Sequence, residues 1–232
     1  MNKLNPSTFL GSDTTSPAVR QVCGISGSGK TTWMGSLISS TVNSPNLPEY
    51  FRVIIFDIKH EGYSQYGEVV TTFEELSKSI RKNRVTVIHP PDIKESKFFL
   101  NQVIQLMFDL KEKIEDFSAT LILEESSTYI KSTPHGVPSS IKRLATQGRS
   151  KELSLILLNQ RTLNSKWTDT QTSTVVFFRL PMPDLLLTQQ RWGISAEEVN
   201  QRLSEIKFSY AVYDLESLEI GYYQPIDIQL TP

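Results

Sequence analysis

Apolar residues along this chain gather in short β-branched runs, and stretches of helical spacing separate the runs. Arg52-Val53-Ile54-Ile55-Phe56-Asp57 has the continuous apolar character of a parallel strand covered on both faces. Ala18 to Cys23, Val85 to Ile88, Thr120 to Leu123, Ser154 to Leu158 and Val175 to Arg179 repeat that signature. Between them the period changes. Trp33, Met34, Leu37 and Ile38 share one helical face, as do Phe99, Val103, Leu106, Met107, Leu110 and Ile114. Strands alternating with helices predict an α/β fold, a mostly parallel central sheet with helices on both faces. The tail departs from this rhythm. Residues 184–207 predict a helix pair, and Tyr210 to Tyr213 with Ile220 to Tyr223 predict a hairpin across Asp214-Leu215-Glu216-Ser217.

Residues 1–16 are rich in Ser, Thr, Asn and Pro without periodicity and read as a loose N-terminal arm, leaving 17–232 as a single domain. Residues 43–48 form a loop between the first helix and the next strand, and residues 131–138 read as an exposed loop. At 232 residues and 38% hydrophobic content, the chain suits one sizeable core and is short for two. The N-terminus lacks the apolar core of a secretion signal, and no run approaches 18 apolar residues. The expectation is a soluble, intracellular protein.

A net charge of −1 excludes a strongly basic protein, so any nucleic-acid contact has to come from a local patch or a channel lined by several subunits. The single cysteine, Cys23, excludes a disulfide framework and a cysteine-held zinc; it reads as a small buried apolar residue. His60, His89 and His135 are scattered without metal-ligand spacing.

The candidate chemistry begins at Gly24-Ile25-Ser26-Gly27-Ser28-Gly29-Lys30-Thr31, a complete phosphate-loop signature between a strand and a helix. Its glycines let successive backbone N–H groups face the phosphates. Lys30 reaches the β- and γ-oxygens, the Thr31 hydroxyl can ligate Mg²⁺, and Thr32 completes the stretch assigned to ATP. The strand Ala119 to Leu123 ends in Glu124-Glu125. Adjacent carboxylates at the same sheet edge as a phosphate loop suit two tasks: Glu124 to hold Mg²⁺ through water, Glu125 to orient and polarise the attacking water. Asp57 ends a neighbouring strand ahead of Lys59 and reads equally as a site residue or a turn former. The strand Leu153 to Asn159 runs into Gln160, whose amide can touch both a γ-phosphate and the water.

The succession G-I-S-G-S-G-K-T, I-I-F-D-I-K, L-I-L-E-E and Q-G-R-S-K-E-L-S-L-I-L-L-N-Q-R resembles the FtsK–HerA superfamily of DNA-pumping ATPases, over roughly residues 17–226. It most resembles the genome-packaging ATPases of tailless icosahedral viruses with an internal membrane. The resemblance implies a RecA-like P-loop NTPase core with an extra strand between the phosphate-loop and acid strands. It implies assembly with itself as a ring, commonly a hexamer, around double-stranded DNA. Lys30 and Thr31 become the phosphate-loop pair, Glu124 and Glu125 the acid pair, and Gln160 the sensor. Arg149 matches the region that supplies an arginine finger to the neighbouring subunit, with Arg143 as the competing candidate. The family usually has Asp where this chain has Glu124, which leaves the division of labour between the two acids open. Residues 161–168, with Arg161, Lys166 and Trp167, read either as a DNA-facing segment or as an ordinary surface loop.

These observations predict an ATP-driven double-stranded DNA translocase, in the host cytoplasm or virion-associated, that packages a viral genome and docks to capsid or internal-membrane proteins. A plasmid or cellular transfer translocase shares the same motor core. Outside that class stand a small-molecule P-loop kinase, which needs an acceptor pocket and an arginine-rich lid, and a DNA-independent assembly NTPase.

Overall fold

The first turn of each element shows the local rules at work. Thr72 caps the helix Phe73–Lys82 by accepting a bond from the Glu75 N–H, and the Glu75 carboxylate answers at the Thr72 N–H. Gly193, at φ 72°, ends Met182–Trp192, and Ser195 caps the following helix by accepting from the Glu198 N–H at 3.2 Å. The computed structural model describes residues 9–11, 19–60, 62–131, 136–162 and 165–225.

Nine strands form one sheet: β1 (Val19–Cys23), β2 (Phe51–Phe56), β3 (Glu68–Val70), β4 (Val85–Ile88), β5 (Ser118–Leu123), β6 (Leu153–Asn159), β7 (Thr172–Phe177), β8 (Tyr210–Asp214) and β9 (Glu219–Tyr223). The helices are α1 (Lys30–Val42), α2 (Phe73–Lys82), α3 (Ile93–Lys113), α4 (Ser139–Gln147), α5 (Lys166–Gln171), α6 (Met182–Trp192) and α7 (Ala196–Glu205). The spatial order is β3-β4-β2-β5-β6-β1-β7-β8-β9. The first seven strands run parallel; β8 pairs antiparallel with β7, and β9 pairs antiparallel with β8. As expected, β6 lies between the phosphate-loop strand β1 and the acid strand β5. The tail is the predicted hairpin, its turn closed by the Glu216 and Ser217 N–H groups donating to Asp214 Oδ1 at 2.8 and 2.9 Å.

Strand alternation divides the core. Ile54, Phe56, Leu121, Leu123, Leu155 and Leu157 face the cluster under α3 and α4, whereas Val53, Ile55, Ile122, Ile156 and Leu158 face the one under α1. A third cluster joins Cys23, fully buried, to α6, α7 and β8. Trp33 meets Phe9, Phe178 and Tyr210 edge-on, at centroid distances of 5.2, 5.7 and 5.3 Å, and so ties the start of α1 to β7 and β8.

Two expectations need correction. Within the arm, Phe9 and Leu10 are buried, with Phe9 against Trp33 and the Leu10 carbonyl accepting a bond from Thr120. Two adjacent apolar residues anchor a stretch whose average composition is polar; the rest of the arm lies outside the described residues. Residues 161–168 are not a plain loop. They run into α5, where Ser165 and Thr168 are buried and Trp167 packs on the α3-side core. Leu163, Asn164 and the Lys166 side chain lie outside the described residues, as do residues 132–135 of the expected exposed loop; Val137 beside them is buried. No helix among the described residues is long and apolar enough to cross a membrane.

Ile156, fully buried at the middle of the sheet, should lose about 2–5 kcal/mol of stability on Ile156→Ala. The exposed Leu218, truncated to Ala, should change it by less than about 0.5 kcal/mol. Urea denaturation of both variants checks the difference.

Candidate active site

The phosphate loop hangs between two strand tips. Gly24 N–H donates to the Asn159 carbonyl at 3.2 Å and Ile25 N–H to the Arg179 carbonyl at 2.9 Å. Side chains are excluded where the chain is tightest: a Cβ on Gly24 would lie 2.5 Å from the Phe178 Cβ. Gly29 stands at φ 98°, a left-handed conformation that turns the chain into α1 without a side-chain cap. The first N–H groups of α1 therefore remain available to an anion. Lys30, 7% exposed, folds back over the loop and donates to the carbonyls of Gly24 at 2.6 Å and Ile25 at 3.0 Å. Burial lowers its pKa, opposed by Glu124 and Glu125.

Parallel register brings the acids to the same edge. Phe56 pairs with both Ile88 and Leu123, which sets Asp57, His89 and Glu124 side by side, while Cys23 pairs with Asn159. Glu124 is 6% exposed, and its carboxyl is pushed up to about 7, chiefly by burial and then by Glu125, with Lys59 and Lys30 opposing. Tyr63, fully buried, reaches Glu124 Oε2 at 3.4 Å, and its neighbour Gly62 packs so closely on Thr31 that a Cβ there would lie 2.7 Å from the Thr31 methyl. This pair thus links the two residues expected to share a cation.

Glu125 adopts a left-handed backbone, φ 48° and ψ 48°, which swings it out of the strand line. Its Oε1 accepts from Gln160 Nε2 at 2.8 Å and pairs with Lys59 Nζ. In front of it opens a cavity of ≈ 500 Å³ lined by Lys59, Ser127, Gln160 and Arg161 among others. Asn159 Oδ1 accepts from Ser126 Oγ at 3.0 Å and Ser127 N–H at 2.8 Å, fixing the turn that follows the acids to β6.

Asp57 is fully buried and acts as a turn former: its Oδ1 accepts the Lys59 N–H at 3.2 Å, which aims Lys59 toward Glu125. Burial raises its pKa, with His89 Nε2 at 3.5 Å opposing. Burial also lowers that of His89, whose ring stacks on His60 at 4.4 Å.

The structure thus gathers Lys30, Thr31, Glu124, Glu125 and Gln160 at one edge. Arg149 is not among them. It precedes β6 at the opposite edge, exposed to solvent. Arg143 is engaged within the chain, its guanidinium 3.9 Å from the Phe108 ring centroid and bonded to Gln105 Oε1 at 2.8 Å. Tyr63 and Asn159 were not singled out as site residues from the sequence. The only available signal was their place just beyond, or at, the end of a recognisable strand.

The family model described as "Helicase HerA, central domain" matches residues 21–185. The chain belongs to this family. It is thus a HerA-type P-loop ATPase, and the matched segment contains the phosphate-loop motif, Glu124, Glu125 and Gln160. Its fold is similar to the genome-packaging NTPase B204 of Sulfolobus turreted icosahedral virus 2, solved with ATP-gammaS. That likeness has a TM-score of 0.67 at 18% identity, covering 90% of this chain and 98% of that one. It is also similar to VirB4 of Thermoanaerobacter pseudethanolicus, with a TM-score of 0.65 at 9% identity, covering 91% and 90%. The type VII secretion ATPase EccC of Thermomonospora curvata matches at a TM-score of 0.60 and 15% identity, over 89% of this chain and 25% of that one. No curated protein matches the sequence significantly.

Glu124 keeps its proton in the folded chain up to about pH 7, against an ordinary 4.5 when unfolded. The folded state holds more protons between those values, so this contribution to stability is present below about pH 4.5 and is lost as pH rises through about 7. Nucleotide-free Glu124→Gln should gain on the wild type by about 3 kcal/mol between pH 4.5 and pH 8. Denaturant titrations of both proteins at the two pH values measure the gap, and a constant gap would refute the burial of this carboxyl.

Proposed function

We propose that this HerA-type ATPase is a double-stranded DNA translocase that packages a viral genome into a preformed capsid, working as a ring of identical subunits. The reading is supported above all by one observation: a phosphate-loop motif, two carboxylates and Gln160 gathered at one sheet edge of a chain whose fold likeness covers 98% of a genome-packaging NTPase. Residues 17–232 then act as one motor unit.

In this reading ATP phosphates draw Lys30 off its own loop carbonyls and take the exposed N–H groups at the start of α1. Thr31 and Glu124 would hold Mg²⁺. Their hydroxyl and carboxylate oxygens suit a hard cation that takes its remaining ligands from water and phosphate, and Gly62 with Tyr63 links the two. Bound there, the cation neutralises charge on the β- and γ-phosphates. Glu125 leaves Lys59 to polarise the attacking water, and Gln160 bridges water and phosphate. Arg149 reaches the site of the neighbouring subunit, which its exposure at the opposite edge permits. Double-stranded DNA occupies the ring's channel. Docking to capsid or internal-membrane proteins, at a virion or in host cytoplasm, completes the proposal.

The fold likeness to the type VII secretion ATPase EccC favours a second reading, an assembly or secretion ATPase with no DNA substrate of its own. ATPase rate with and without double-stranded DNA, measured beside oligomeric state, separates them. The motor reading requires a ring whose turnover rises with DNA, and a DNA-indifferent rate would overturn it. Glu125→Gln should keep nucleotide affinity while turnover falls by about 10²–10⁴. Equilibrium binding and single-turnover hydrolysis supply both numbers, and full turnover would remove Glu125 from its role.

Arg149→Ala should leave nucleotide affinity of the subunit near normal but reduce DNA-stimulated turnover by roughly 10³ or more. Lys30→Ala removes the cation nearest the terminal phosphates and should be inactive. Mixed rings of the two variants should recover activity, because some interfaces join an intact phosphate loop to an intact arginine. If ring mixing is shown by mass and no activity returns, Arg149 is not the finger.

A further inference from the structure

We propose that the hollow beside Gly29 is a nucleobase subsite walled by Phe208, and that it accepts purines without distinguishing adenine from guanine. The inference rests on the nucleotide reading and concerns the end of the nucleotide remote from the chemistry. Strand order supplies the direction. β5 and β6, whose tips carry Glu124, Glu125 and Gln160, lie on one side of β1, and β7 and β8 lie on the other. A triphosphate whose terminal phosphate points at the acids therefore extends its base toward the tips of β7 and β8. At that place a cavity of ≈ 160 Å³ is lined by Gly29, Thr32, Trp33, Ser36, Phe178 and Phe208, among others.

Phe208 is the unusual member. It is 44% exposed and sits at φ 67°, a left-handed conformation that disfavours a bulky side chain, and it belongs to none of the three core clusters. Its ring nonetheless lies against the phosphate loop, where a Cβ on Gly29 would come within 3.2 Å of it. Lys207 Nζ stands 4.8 Å from the ring centroid and holds it by a cation–π contact. An aromatic ring left partly exposed beside a phosphate site is a surface on which a base can pack, and such packing tolerates any base. The Ser36 hydroxyl is engaged by the Thr32 carbonyl at 3.1 Å. Among the described lining residues no amide or carboxylate side chain faces the base edge, which is where adenine and guanine differ.

Binding of ATP, GTP and inorganic tripolyphosphate to wild type, Phe208→Ala and Phe208→Trp, by calorimetry, tests the proposal. ATP and GTP should bind wild type within a few-fold of each other. Phe208→Ala should weaken both by roughly tenfold or more while leaving tripolyphosphate unchanged, and Phe208→Trp should retain both. Unchanged ATP affinity in Phe208→Ala would overturn the subsite, as would equal loss of tripolyphosphate. A hundredfold preference between the purines in wild type would overturn its lack of selectivity. If neither ATP nor tripolyphosphate binds wild type, the phosphate-loop reading itself fails, a result distinct from failure of the base wall alone.

Discussion

Asn159 is the joint on which the site depends, because it serves both halves at once. Its backbone carbonyl holds the phosphate loop at Gly24, and its side-chain oxygen holds Ser126 and Ser127 just after the acids. Both attachments come from the end of β6, the strand inserted between the phosphate-loop strand and the acid strand. Without that insertion β1 and β5 would be neighbours. With it, the two chemical segments are spaced by one strand, and a residue of the spacer fixes the distance. Gln160 follows directly, so the same strand end delivers a bond to Glu125. Parallel register does the rest, since strands aligned at their tips bring residues far apart in sequence to one edge.

This division between local and distant causes explains what could be read from the chain. The strands, the helix behind the phosphate loop, the tail hairpin, and Lys30, Thr31, Glu124, Glu125 and Gln160 are legible because each announces itself within a few residues. β3 was not foreseen: it is three residues long and half exposed, too short for an apolar period. Phe9 and Leu10 vanish in a composition average although both are buried. Tyr63 carries only a faint local mark, its place a few residues beyond the end of β2. Its importance lies in reaching Glu124, 61 positions after it, while Gly62 packs on Thr31, and only the fold makes them neighbours.

Lys59 shows the same limit with a functional edge. From sequence it is a basic residue after a strand; in the fold it holds the carboxylate expected to act on water. The Lys59–Glu125 pair is partly solvated, with Lys59 36% and Glu125 15% exposed at the side chain. Exposed ion pairs contribute little net stability, so such a contact is easily exchanged when a phosphate competes for the lysine. A carboxylate tied by a weak partner can be fixed at rest and released on binding.

The deeper pair, Lys30 and Glu124, sets the order in which charge can enter. Both are buried, and burial pulls the lysine down and pushes the carboxyl up, so each resists its charged form. A triphosphate arriving alone would favour charged Lys30 but add repulsion beside Glu124, driving its proton on more firmly. A divalent cation arriving alone would face a carboxyl that holds its proton up to about pH 7. Together they would relieve each other: Lys30 and the helix start would meet the anion, and Glu124, giving up its proton, would hold a cation that offsets the phosphate charge. The buried charges of this edge would therefore suit a nucleotide and a cation entering as a single complex. That coupling follows chiefly from burial, with Glu125 adding to it, which makes the depth of Glu124 as consequential as its identity.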